Sequence, residues 1–108
     1  MSAPLRYVVL RHEGVDDPHF DLMFETAEGS TLATWRATDW PLTSTTQLTP
    51  LGDHRRAYLE YEGVVSGNRG IVKQIVGGIH EIISDDPIFL ITKLNSGMIL
   101  KLRRSAGA

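Results

Sequence analysis

Residues 71–102 read IVKQIVGGIHEIISDDPIFLITKLNSGMILKL. Four apolar segments, 71–76, 79–83, 88–94 and 98–102, are rich in β-branched side chains and too short for ordinary helices. The breaks between them, GG, SDDP and NSG, are strong turn formers, so the stretch predicts strands joined by tight connections. The same habit runs upstream. Residues 6–11 (RYVVLR), 19–25 (HFDLMFE), 30–37 (STLATWRA) and 56–62 (RAYLEYE) each read as a strand. Residues 39–50 are polar, Thr-rich and contain prolines, which predicts a loop, and the glycines of 63–70 predict a second one. No 11-residue window carries a helical period. The expected fold is therefore all-β and mainly antiparallel, a barrel or sandwich of about eight strands with little helix.

Composition bounds what such a domain can do. With 108 residues the chain makes one domain spanning 1–108, with residues 1–4 and 104–108 expected to fray. Formal net charge is −2, so no global basic field draws in nucleic acid, and any such affinity has to be local. Cysteine is absent, which removes disulfides, thiolate catalysis and thiolate metal ligands together. A metal would have to be held by His, Asp, Glu or backbone oxygen, pointing to a harder ion such as Mn²⁺ or Mg²⁺, or to Zn²⁺. The apolar run near the N-terminus is short and broken by arginines, and no stretch reaches the roughly 20 apolar residues of a membrane span, so a cytoplasmic location is expected.

Chemistry concentrates at the second strand. In PHFDLMFE (residues 18–25) the side chains of His19, Asp21 and Met23 face one way, and those of Phe20, Leu22 and Phe24 the other. A hairpin between the first two strands returns His12 beside His19. That would gather two imidazoles and one carboxylate at a rim of the sheet, a set that leaves coordination positions open. On its own the spacing H-x6-H-x-D is a weak signal, more often found in a surface hairpin with scattered polar groups. His54 precedes the 56–62 segment and stands four residues before Tyr58, where a turn histidine and a half-buried aromatic would look the same.

Taken in order, His12, His19-Phe20-Asp21, Trp35 with a loop reaching Pro41, Asp53-His54 with Tyr58, and Tyr61-Glu62-Gly63-Val64-Val65 before a glycine-rich loop form a longer pattern. This pattern resembles the 3′-phosphoesterase module of bacterial DNA ligase D, a family that also occurs as free-standing small proteins, over roughly Tyr7 to Arg103. The resemblance implies a small β-barrel with a Mn²⁺-like ion at its mouth, Zn²⁺ or Co²⁺ being alternatives. It implies removal of a 3′-phosphate or 3′-ribonucleotide from nucleic-acid ends, alongside separate ligase or polymerase proteins. By motif position, His12, His19 and Asp21 would hold the metal. His54 would contact the scissile phosphate and could donate a proton, with Tyr58 nearby.

The chain departs from that pattern in its basic residues. Met23 stands where the family has a phosphate-binding arginine, and a thioether cannot replace a guanidinium fork. Asp39 or a neighbour occupies the place of a lysine, Thr45–Thr49 carries no charge, and SGNRG shortens the glycine-rich loop. Arg36, Arg55, Arg56 and Arg69 could substitute if they face the site, Arg36 best because it follows the tryptophan strand to that rim. The overall negative charge favours a phosphoester smaller than a DNA duplex. The competing expectations are a catalytically degenerate metal- or nucleotide-binding barrel and a plain interaction module.

Overall fold

β-Branched and aromatic side chains at alternating positions drive the first two strands into a hairpin. In the computed structural model, which describes residues 4–104, these are β1 (Leu5–Glu13) and β2 (His19–Glu25), paired antiparallel from Tyr7↔Phe24 to His12↔His19. That register sorts the hairpin into two faces. Tyr7, Val9, Leu22 and Phe24 occupy one, and Val8, Leu10 and Met23 share the other with His12, His19 and Asp21.

Further strands extend the sheet on both sides. β3 (Leu32–Ala37) pairs with β2, and β4 (Leu48–His54) pairs with β3 at the margin. On the other side β6 (Ile71–Asp85) pairs with β1, followed by β7 (Phe89–Leu94) and β8 (Ile99–Arg103). The two-residue β5 (Gly63–Val64) pairs with the start of β6. The order is β4-β3-β2-β1-β6-β7-β8, and every pairing is antiparallel. Register breaks leave Ile75 and Ile83 without a partner, and such bulges bend and twist a strand. The sheet thereby curls into a half-barrel. Leu90, Leu94, Leu100 and Leu102 of β7 and β8 pack on Tyr7, Val9, Phe24 and Trp35, and the Trp35 indole N–H donates to the Arg103 carbonyl at 2.7 Å. Arg104, expected to fray, is held instead by Asp85 and by the Ile88 carbonyl; residues 1–3 and 105–108 lie outside the described residues.

The opposite face of the sheet carries a smaller core of Val8, Leu10, Met23, Leu32 and, from β6, Val72, roofed by Leu59 and Val65. Three local expectations are corrected here. Residues 56–62 are not a strand; Arg56–Leu59 forms a single 3-10 turn. The alternation misleads because Tyr58 and Leu59 both pack on this smaller core, which adjacent strand residues cannot do. Residues 48–50, expected in a loop, begin β4, where Pro50 opposite Trp35 is tolerated because the strand is at the sheet's edge. Gly77-Gly78 is no turn, since both glycines lie inside β6 opposite Val8 and Tyr7. Side chains there would meet Gln74 Nε2 and Asn95 Oδ1, each at 2.7 Å, so the pair admits close neighbours rather than reversing the chain. The strand count stays at eight. Among the described residues no helix is long and apolar enough to cross a membrane.

Candidate functional site

His12 and His19 face each other at the end of the β1–β2 hairpin, with ring centroids 4.9 Å apart. Asp21 follows two residues later on the same face of β2. Its carboxylate lies 3.6 Å from His12 Nδ1 and 3.4 Å from His19 Nε2. His19 and Asp21 are buried, at 4% and 5% exposure, and His12 is partly buried.

The outward nitrogens fix the rings. His19 Nδ1 lies 2.6 Å from the Asp17 carbonyl, and His12 Nε2 lies 2.6 Å from the Arg69 carbonyl. A carbonyl only accepts, so each of these nitrogens must carry the proton it donates. In the neutral rings His12 Nδ1 and His19 Nε2 are then bare lone pairs, both directed at Asp21. Orientation of a ligating imidazole through its other nitrogen is the usual supporting arrangement around a metal.

One donor atom from each residue lies within 4.8 Å of the others. With bonds of roughly 2.1 Å, ligands stand about 3.0–3.4 Å apart at right-angle or tetrahedral positions and about 4.2 Å apart across an ion. Gathering the three donors onto a cation therefore asks for shifts of less than about 1 Å. A second observation agrees. Among the described residues only His19 Nε2, Asp21 Oδ1 and Arg36 Nε are buried side-chain polar atoms without a hydrogen-bond partner. All three belong to this patch, because Arg36 on β3 sits directly across from Asp21. Orphaned buried polar atoms call for an explanation such as an ion or ligand, and two nitrogens with one carboxylate suit Mn²⁺ or Zn²⁺ chemically.

A cavity of about 220 Å³ opens beside the cluster, lined by His12, Asp21, Arg36, His54, Tyr58 and Arg69 over an apolar floor that includes Met23. His54 Nδ1 donates to the Gly52 carbonyl at 3.0 Å, leaving Nε2 as its exchangeable site, and Tyr58 packs edge-on against the ring at 5.9 Å. A larger groove of about 780 Å³ between Leu5, Ile79, Lys93 and Asn95 lies elsewhere and contains none of the orphaned atoms.

Five expected residues, His12, His19, Asp21, His54 and Tyr58, thus meet at one place, and Arg36 joins them. Arg55 does not; it borders a separate depression behind Tyr58 with Tyr61 and Val64. Arg56 is committed to Glu25, pairing with its carboxylate and donating to the Ser30 carbonyl at 3.1 Å. Burial pushes the Glu25 carboxyl up, but hydrogen bonds from Arg56 and the Arg6 N–H outweigh it and hold the group below its usual range. His80 is also structural. Its Nε2 donates to the Glu25 carbonyl at 2.8 Å, its Nδ1 meets Thr92 Oγ1 at 2.6 Å, and burial holds its pKa below the ordinary value. Sequence reasoning missed the two anchoring carbonyls, since any residue offers one; only Gly70, which lets the Arg69 turn approach β1, marks the place. No family model and no curated protein matches the chain.

Proposed function

We propose that this chain is a divalent-metal phosphoesterase of the kind found in the 3′-end-healing module of DNA ligase D, acting on a nucleic-acid 3′ end or a smaller phosphoester. The observation that carries this reading is the pair of imidazoles whose outer nitrogens are tied to backbone carbonyls, leaving two lone pairs converging on a buried carboxylate. His12, His19 and Asp21 would hold the ion, with Mn²⁺ the best match and Zn²⁺ or Co²⁺ alternatives. When bound, such an ion supplies Lewis-acid polarisation of a phosphoryl oxygen.

The remaining steps fall to the chain's own groups. His54, with Nδ1 tied to Gly52, can hold a proton at Nε2 and deliver it to a leaving oxygen. Tyr58 limits the ring's rotation by packing against it. The Asp17 and Arg69 carbonyls keep His19 and His12 in the tautomers that ligation needs. A second reading, a binding module that keeps the ion without turnover, draws support from Met23, which is 1% exposed and offers no positive charge beside the site.

Electron paramagnetic resonance during a Mn²⁺ titration tests the metal site, and phosphate release from a 3′-phosphorylated primer tests the chemistry. Tight binding is expected in the parent and not in His12→Ala or Asp21→Ala, with circular dichroism unchanged, and phosphate release should require the ion. Equal Mn²⁺ affinity in both variants would overturn the metal site. Binding without turnover would establish the binding module.

A further inference from the structure

Arg36 is the one polar group in this cavity that the metal reading leaves unexplained. It projects from β3 on the face shared by His19 and Asp21, in register with Asp21. Its Nε is buried without a hydrogen-bond partner, and among the described residues the guanidinium makes no ion pair. A guanidinium carries five donors in a fixed fork and stays charged at any physiological pH. Burying part of it unpaired is unfavourable, so the position makes physical sense when an anion completes it.

The surroundings say which anion. Of the groups lining the cavity, Arg36 and Arg69 are cationic and Asp21 alone is a carboxylate, so the space is positive before any metal ion adds its charge. Arg69 already spends its Nε on the Ser66 carbonyl at 2.7 Å and one terminal nitrogen on Ser66 Oγ at 3.2 Å, which leaves Arg36 as the uncommitted fork. The volume of about 220 Å³ lies below the range of roughly 300–1,000 Å³ typical of small-molecule pockets. It suits a phosphoryl group and leaves whatever carries that group outside. A monoester phosphate carries about −1.5 to −2 charges near neutrality, against −1 for a diester, and its three terminal oxygens accept a forked donor.

We infer that Arg36 is the anion-recognising residue of the site and that it selects a terminal phosphomonoester over a phosphodiester. The inference builds on the proposed phosphoesterase site, but it can be judged without turnover. The probes are inorganic phosphate, phenyl phosphate and the diester methyl phenyl phosphate, titrated calorimetrically into metal-free and Mn²⁺-loaded protein, for the parent, Arg36→Gln and Arg36→Lys. Loss of a charge-assisted contact predicts phosphate and phenyl phosphate affinity about 10- to 100-fold weaker in Arg36→Gln, with Mn²⁺ affinity unchanged. Arg36→Lys keeps the charge and loses the fork, so intermediate weakening is expected. The diester should bind the parent more weakly than the monoester.

Unchanged phosphate affinity in Arg36→Gln, or a parent that prefers the diester or binds no phosphate, overturns the proposal. Should Arg36→Gln fail to fold, Arg36→Lys decides, and full affinity there refutes recognition by the fork. A parent that binds no Mn²⁺ defeats the metal site instead, and the metal-free titrations still decide the role of Arg36.

Discussion

Replacing Gly70 with alanine probes the link between the 66–70 turn and His12. Gly70 has φ of +82°, a region where a side chain costs about 1–2 kcal/mol. The added methyl would also overlap the Glu13 carbonyl oxygen and sit 3.0 Å from Val15 Cγ1. Backbone cannot rotate aside as a flexible side chain does, so overpacking adds about 1–3 kcal/mol. The total, about 2–5 kcal/mol, corresponds to a fall in Tm of at least about 10 °C for a domain of this size. Gly29 is the control. Its φ is +78° and a methyl added there would meet nothing within 4 Å, so Gly29→Ala should bear the backbone cost alone. The second readout is Mn²⁺ affinity. Gly70 precedes Ile71 and follows the Arg69 carbonyl that orients His12, and disturbing such a support weakens metal binding by about 10- to 100-fold. Scanning calorimetry and a Mn²⁺ titration on both variants check this. If Gly70→Ala melts with Gly29→Ala, or keeps the parent's Mn²⁺ affinity, then the turn does not hold His12 and the reasoning fails.

Leu59→Ala should lower stability by about 2–4 kcal/mol in urea unfolding, because this buried side chain anchors the 3-10 turn onto the smaller core beside Val8, Leu10 and Met23. His80 supplies a pH test. Its folded pKa lies below the ordinary 6.5 through burial, so its contribution is fully present above pH 6.5 and is lost as pH falls through the lowered value. The difference in urea midpoint between parent and His80→Gln should change as pH is lowered from about 7.5 to 5, and a constant difference would remove His80 from the acid response.

Strand pairing near the N-terminus was legible because its signals are local. Alternation in HFDLMFE assigned His19, Asp21 and Met23 to one face, and that is the face they share. The face itself was harder to picture. It is not an open solvated surface, since Tyr58, Leu59 and Val65 fold over it, and the return of that span depends on contacts distant in sequence. Leu59 and Tyr58 read as strand residues because alternation cannot distinguish a strand from a turn pressed onto a core. Gly77-Gly78 read as a turn because the crowding by Gln74 and Asn95 that explains these glycines arises only once β6 has bent. Within the site, the side chains were identifiable by type, and Arg36 separated from Arg55 and Arg56 only through register and pairing.

An unclosed sheet leaves two margins, each a template for a foreign strand. On β4 the proline at position 50 has no N–H to offer, which interrupts the row of donors that self-association would need. On β8 the exposed side chains of Lys101 and Arg103 set like charges against a second copy docking edge to edge. Polymerisation through either margin is thus opposed by different chemistry, and the half-barrel can stay open without becoming a seed for aggregates.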